Sequence, residues 1–177
     1  MLDFRSILLR HTTCQIMNAA IKTHRYAWED RWVEPTLAQL LEPYKDPAKR
    51  KVVDTLLEKL GHIPGIEYEL IWYGSAWRWT ACYSLLNGKG QRIEVMAYFV
   101  PNPVGPLLCI PMSEEVISRL PIKRLNRIIR EGIRSSKCAV SLHWAVWSPG
   151  ALTEVDHLAD LFKRKHKLVL AAANPTK

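Results

Sequence analysis

Residues 79–100 read WTACYSLLNGKGQRIEVMAYFV, and the fold prediction starts from the hairpin that this sequence forms. Two runs of apolar and aromatic residues flank Asn87-Gly-Lys-Gly90, a turn sequence typical of a type I turn closed by a left-handed glycine in a bulge. The three-residue loop predicts a hairpin in which Asn87 pairs with Gln91. One face of this hairpin is then wholly apolar or aromatic, with the pairs Leu85–Ile93, Tyr83–Val95, Ala81–Ala97 and Trp79–Phe99. A two-residue loop would mix polar and apolar residues on both faces, so the bulged register is preferred.

Outward from this hairpin, the hydrophobic period predicts further helices and strands. A capping-box sequence begins a short helix at 36–41, and Asp46-Pro47 begins a helix at 47–60. Further strands are predicted at 67–73, 107–110 and 137–147, the first strand of the hairpin begins at 76, and further helices follow Ser113, follow Pro121 to about Arg134, and span 152–166. Because hairpin links favour antiparallel pairing, the expected fold class is α+β: a mostly antiparallel sheet of about five strands with helices packed on one face.

Length, charge and cysteines limit the kind of protein. The 177 residues include 25 Lys and Arg against 17 Asp and Glu, a formal net charge of +8. This length predicts a single domain at 34–170, after a weakly structured extension at 1–33 and before a flexible tail at 171–177. No apolar run approaches the roughly 18 residues of a membrane span, and no signal-peptide pattern is present. The four cysteines are scattered, so we expect a cytoplasmic protein with free thiols and no membrane partner.

A mixed polar and aromatic face of the sheet is the first candidate site. It carries the predicted ligand-binding residues Arg78, Thr80, Glu94, Tyr98, His143 and Trp147. The other side of the last strand, with Val140, Leu142, Trp144 and Val146, is expected to face the core. An open face of mixed composition suits a small ligand or a partner peptide, and the alternative is an ordinary solvated sheet face. His143 and Glu94 have the residue types of a base and its orienting carboxylate, but no nucleophile motif accompanies them. We therefore expect a non-catalytic binding domain without a cofactor.

A basic helix is the second candidate site. Between Arg119 and Lys137 the sequence has seven basic residues and one acidic residue, Glu131. On a helix at 123–134, four cations fall within about 60° of one another; they are Lys123, Arg127, Arg130 and Arg134. Such a ridge suits the phosphates of nucleic acid or another polyanion, and the alternative is the solvated side of an amphipathic helix. No recognised nucleic-acid-binding motif is present.

Metal binding is not predicted. His11 and Cys14 have a spacing that a metal could use, but no further ligands complete the set. Glu154, His157 and Asp160 share one helix face, as exposed helices often arrange such residues.

Several short motifs together resemble a known group of domains. Trp72-Tyr73-Gly74 precedes an aromatic strand, a proline-bounded strand leads into Ser113-Glu-Glu, Ser135-Ser136-Lys137 precedes another strand, and the last helix ends in lysine and arginine. Over about 35–167 this layout resembles the uncharacterised bacterial domains of the YdhG-like fold. The resemblance implies a cytoplasmic α+β domain with no established enzyme activity. One branch of the group implies frataxin-like iron delivery, but that function uses an acidic surface, whereas the surplus charge here is basic.

Overall fold

A single six-stranded sheet organises the computed structural model, which describes residues 26–173. Its strands are β1 (Ile66–Trp72), β2 (Trp79–Leu86), β3 (Arg92–Val100), β4 (Leu107–Ser113), β5 (Lys137–Ala139) and β6 (Leu142–Trp147). They lie in the order β1-β2-β3-β4-β6-β5, and every neighbouring pair is antiparallel. The predicted α+β class is therefore confirmed, with one strand more than expected.

Six helices accompany the sheet in the described part of the chain. They are α1 (Leu37–Leu41), α2 (Pro47–Gly61), α3 (Gly74–Trp77), α4 (Glu114–Arg119), α5 (Arg127–Arg134) and α6 (Leu152–Ala173). Three begin where capping residues predict. Thr36 and Gln39 form the capping box of α1, Asp46 accepts a hydrogen bond from Ala48 N, and Ser113 accepts one from Val116 N. None of the described helices is both long and apolar enough to cross a membrane.

The main core lies between one face of the sheet and helices α2, α4, α5 and α6. Leu56 of α2, Ile129 of α5 and Phe162 of α6 join this core, which also contains Phe99 and Ile110 from the sheet. The opposite face has its own smaller cluster of buried residues, Cys82, Tyr98 and Cys109, with no long helix above it. Apart from the one-turn helix α3, the helices leave this second face open, and we call it the open face.

The segment 137–147 is a hairpin, so the prediction of one continuous strand is wrong. Strands β5 and β6 pair antiparallel, and the two residues between them, Val140 and Ser141, have φ of 52° and 64°. Positive φ at both central residues is the geometry of a type I′ turn, which normally uses Asn or Gly. The sequence contains neither residue there, so it carries no sign of the turn.

The predicted register of the β2–β3 hairpin is correct only beside its turn. Asn87 N donates to Gln91 O over 2.9 Å, and Gly90 has a φ of +74°, as a bulged turn requires. Further along, Ile93 and Met96 each lie in a bulge, so Tyr83 lies opposite Ala97 instead of Val95. Beyond the second bulge the side chains again lie on their predicted faces, because two single-residue shifts amount to one full period of the strand. Every pair beyond that point is displaced by two positions from the predicted register.

Helix boundaries differ from the prediction at three places. A one-turn helix, α3, intervenes before β2, which begins at Trp79 rather than at 76. The basic helix begins at Arg127, because residues 122–124 form a separate 3-10 turn. The last helix continues to Ala173 instead of ending near 166.

Part of the predicted N-terminal extension packs on the domain. Residues 1–25 and 174–177 lie outside the described residues, and so do His11 and Cys14. Trp28 is buried, and its indole nitrogen donates to Trp77 O over 3.0 Å. Arg78, whose φ is 52°, pairs with Glu29 and lies 4.6 Å from the centroid of the Trp28 ring. These contacts fix residues 27–29 against the end of the sheet.

Candidate binding groove on the open face

The predicted mixed face does not exist as one surface. Thr80 and Tyr98 belong to the open side, and both are buried. Glu94, His143 and Trp147 instead lie on the side of the helices, because Glu94 is opposite Leu85 and Trp147 is opposite Leu108, and both partners belong to the main core. The prediction that these residues share a face is therefore wrong.

Each of those residues has a structural partner. Thr80 Oγ1 donates to Trp77 O over 3.1 Å, and Trp147 Nε1 donates to Ile128 O over 3.3 Å. His143 Nδ1 lies 3.2 Å from Ser136 Oγ, and its Nε2 lies 3.9 Å from a carboxylate oxygen of Glu114. These contacts place the predicted set in the packing of the fold, not around a common ligand.

The open face carries a cluster of four aromatic rings, from Tyr73, Trp77, Tyr98 and Trp144. Tyr98 and Trp144 are stacked, with centroids 5.7 Å apart and ring planes 18° apart. Tyr73 and Trp77 lie over them, at 5.1 and 5.7 Å from Tyr98. Burial, and to a lesser extent Tyr73, raises the pKa of Tyr98 well above its usual value. Tyr98 therefore stays neutral, and its buried ring supports the outer rings from below.

A groove of about 620 Å³ runs from this cluster to the end of α5. Tyr73 and Trp77 form one wall, and Trp144 and Val146 of β6 form the floor. The remaining lining residues come from α5, from β5 and from the link between them: Gly132, Ser135, Ser136, Lys137 and Ala139. Since Lys137 is opposite Trp144 in the β5–β6 pairing, its side chain shares the open face with the indole.

Close packing of α5 against β6 positions the floor of the groove. A Cβ on Gly132 would lie 2.7 Å from Trp147 Cζ2 and closer still to two other ring atoms. This close approach brings α5 against β6 and leaves its last turn beside Trp144. Gly132 lies inside a helix and not in a turn, so the close approach of α5 to β6 accounts for a glycine at this position.

The two groove tryptophans leave their indole N–H groups without an acceptor in the described chain, as does the half-buried Trp72 outside the groove. Trp28, Trp79 and Trp147 all donate their indole N–H groups to backbone carbonyls. Within residues 26–173, Trp77 and Trp144 make no such bond, although both are half-buried. Because no buried side-chain nitrogen in the described chain lacks a partner, these two N–H groups must reach solvent.

The groove side chains include one cation and no carboxylate. Lys137 is exposed, and no described carboxylate lies within 4 Å of its ammonium. A second depression, of about 530 Å³ beside Lys49, is lined by both lysines and acidic residues, so its charges compensate one another. The aromatic groove is therefore the better candidate for a binding site.

The predicted arginine ridge is shorter than expected and faces away from the groove. Lys123 lies outside α5, which leaves Arg127, Arg130 and Arg134. Arg130 and Arg134 each lie two residues from Gly132, which corresponds to a rotation of about 200° around the helix axis. Both arginines therefore point away from the groove that Gly132 lines. Arg127 Nε donates to Glu131 Oε1 over 2.6 Å, and this contact lowers the pKa of Glu131.

A fully buried lysine bridges a gap in the sheet. Strands β3 and β4 pair only through Tyr98, Phe99 and Val100, and the rest of the two strands diverges. Lys165 of α6 enters this divergence, where its ammonium donates to Val95 O at 2.7 Å, Met96 O at 3.3 Å and Pro111 O at 2.5 Å. Its Nζ is also 3.1 Å from Glu94 Oε1.

Burial is the main influence on the ionisation of Lys165. It lowers the pKa of the ammonium, and the carboxylate of Glu94 partly offsets this effect. Four acceptors surround the three N–H donors of the ammonium, so no donor is left for a ligand. The lysine instead bonds the carbonyl oxygens that have no partner strand where β3 and β4 diverge.

The described residues provide neither a metal cluster nor a reactive thiol at the groove. No group of three or more potential ligands is present within 26–173. Of the predicted helix triplet, Glu154 accepts from Gly150 N, His157 contacts Asn126, and Asp160 pairs with Arg164. Burial raises the pKa of the Cys109 thiol to about 12.

Fold and site together define a class: an antiparallel α+β domain with an aromatic groove on the sheet face that its helices leave open. Comparison with known proteins assigns no family to it. No protein-family model, no curated protein and no solved structure matches the chain. The YdhG-like resemblance therefore stays a prediction.

Sequence patterns place Trp72 and Trp77 on either side of a bend at Tyr73-Gly74, and they leave open whether each ring belongs to the core or lines a pocket. Trp144 was expected in the core, because the set Leu142, Trp144 and Val146 is the more apolar side of its strand. One signal favours the other orientation: Ala145 and Gly132 are small residues that allow close packing behind the strand. That signal depends on knowing that α5 lies against β6.

Proposed function

We propose that the protein is a non-catalytic binding domain whose aromatic groove takes a largely apolar, ring-bearing ligand. The observation that carries this proposal is the cluster of Tyr73, Trp77 and Trp144 around an open groove, above the buried ring of Tyr98. Aromatic walls with a few polar groups are typical of ligand sites. Tyr73 remains 38% exposed although it contacts three other rings, so the cluster still has apolar area to bury.

Saturation-transfer NMR with indole and benzamide as probes tests this function. Both probes should bind the native protein, and binding should be lost in Ala139→Arg, because the long side chain occupies the groove from an exposed position. Trp32→Ala is the matched control, since Trp32 is 85% exposed and does not line the groove. Absence of binding by both probes, or equal binding to Ala139→Arg, would contradict the proposal.

A polyanion-binding surface on α5 is a second candidate function. Its supporting observation is that Arg130 and Arg134 have no carboxylate within 4 Å among the described residues. The apolar side of α5 is packed in the core through Ile129 and Ile133, and only Ile128 remains exposed, which is too small an apolar face to insert into a lipid surface. The guanidinium groups of Arg130 and Arg134 suit the phosphates of a nucleic acid.

Fluorescence anisotropy with a single-stranded RNA, measured against salt, tests the second candidate. Arg130→Glu with Arg134→Glu should abolish binding, whereas the matched reversal Lys163→Glu with Lys167→Glu on α6 should have little effect. Each phosphate contact adds about 0.7 to the salt slope for a single strand. Binding that both double variants weaken equally would show a general charge effect and refute a site on α5.

A further inference from the structure

We infer that the occupant of the aromatic groove is a proline-rich segment of another protein, bound in the polyproline II conformation with an acidic side chain at Lys137. This inference rests on the proposed function of the groove. It adds the chemical class of the ligand, which three features of the groove define.

The first feature is the groove's supply of hydrogen-bond donors. The indole N–H groups of Trp77 and Trp144 reach solvent without an acceptor in the described chain, and Lys137 adds an ammonium. A matching ligand is therefore rich in acceptors. A proline-rich segment fits this requirement, because each proline has a carbonyl acceptor and no N–H donor. Its polyproline II backbone makes no internal hydrogen bonds, so its carbonyls are available to the indoles.

The second feature is the spacing of the rings. Trp144 lies 5.9 Å from Trp77 and 6.4 Å from Tyr73, measured between centroids. Two residues of a polyproline II helix span about 6 Å, at about 3.1 Å per residue. Pyrrolidine rings of the segment can therefore lie against neighbouring aromatic rings without distorting its backbone. Aromatic-lined grooves are a recurring way to bind such segments, whose stiffness reduces the entropy lost on binding.

The third feature is the open end of the groove. Strand β5 is the last strand of the sheet, so nothing closes the groove beyond Lys137 and Ala139 among the described residues. A continuous chain can pass over this edge, whereas a small molecule would leave the outer end unused. The lysine at that edge has no ion-pair partner in the described chain, and it complements a glutamate or aspartate in the passing segment.

A labelled proline-rich peptide with one glutamate tests the inference by fluorescence anisotropy on the full chain. It should bind the native protein and Trp32→Ala, and binding should fall at least tenfold in Trp144→Ala and in Ala139→Arg. A peptide with alanine in place of each proline should bind at least tenfold more weakly. Lys137→Ala should weaken binding about twofold to fivefold, and only for the peptide that keeps its glutamate.

The outcomes separate the inference from the proposed function. If indole and benzamide bind but the peptide does not, or if the alanine peptide binds equally well, the occupant is not proline-rich and the proposed function stands. If neither the fragments nor the peptide binds, both statements are refuted. Since Ala139 is an exposed position, the Ala139→Arg variant stays informative even if Trp144→Ala fails to fold.

Discussion

Replacing Lys165 with methionine removes the charge that bridges the gap in the sheet and keeps most of the apolar stem. Lys165 is 0% exposed, and its ammonium donates to the carbonyl oxygens of Val95, Met96 and Pro111. In Lys165→Met these carbonyls lose their donor between two diverging strands, and Glu94 loses its counter-ion. We therefore expect a large loss of stability without a change of fold.

The carbonyl contacts decide the magnitude of this loss. Removing one partner of a buried charged group costs about 3–5 kcal/mol, and each unsatisfied buried carbonyl costs about 1–3 kcal/mol, although such costs are not additive. We expect a net loss of about 4 kcal/mol, a large part of the roughly 5–15 kcal/mol that stabilises a domain. The pair with Glu94 contributes little to this value, because the Glu94 side chain is 34% exposed.

Urea unfolding followed by circular dichroism measures the effect. With a slope of about 2 kcal/mol per molar urea, the midpoint of Lys165→Met should fall by about 2 M. Lys163→Met, at an exposed position of the same helix, should stay within about 0.5 kcal/mol of the native protein. Glu94→Gln should cost about 1 kcal/mol or less. A loss below about 1 kcal/mol in Lys165→Met, or a gain, would refute the bridging role of the ammonium.

Three further predictions follow from the backbone and the core. Gly132→Ala should lower the melting temperature, because its Cβ collides with Trp147 at a cost of about 1–3 kcal/mol; Gly61→Ala, with no atom within 4 Å, should leave it unchanged or raise it. Val140→Asn should raise the melting temperature by about 2–4 °C, since Val140 is 96% exposed and asparagine tolerates its φ of 52° at a gain of about 1 kcal/mol. A lower melting temperature in that variant would contradict the assigned turn. Because the pKa of Cys109 is about 12, iodoacetamide at pH 8 should label this thiol in urea and not in the native protein. Equal labelling rates, measured by mass spectrometry, would show that Cys109 is accessible.

Local signals in the sequence predict much of the fold. The capping residues Thr36, Asp46 and Ser113 locate three helix starts, and Asn87 with Gly90 locates the turn of the main hairpin. These features depend on neighbouring residues in the chain, so their physics is visible in the sequence.

The register of the hairpin depends on a distant residue and could not be predicted. The ammonium of Lys165 donates to the carbonyl oxygen of Met96, the residue in the second bulge of β3, and to that of its neighbour Val95. This contact joins residues about 70 positions apart. A local rule that maximises apolar pairs therefore gives the right turn and the wrong partners beyond the bulges.

The candidate groove was missed because both sides of β6 are apolar enough to be buried. Trp144 and Val146 form one side, while Ala145 and Trp147 form the other. Packing against Gly132 and the pairing with β4 decide that Trp147 faces the helices. Both influences are tertiary, so alternation alone cannot orient the strand.

The ¹H–¹⁵N NMR spectrum of the indole N–H groups tests the binding groove most directly. Upon addition of indole, and separately of the proline-rich peptide, the signals of Trp77 and Trp144 should shift, since their N–H groups reach solvent in the groove. The signals of Trp28, Trp79 and Trp147 should stay in place, because backbone carbonyls hold those groups. Shifts confined to these three tryptophans, or no shift with either probe, would contradict a ligand site on the open face.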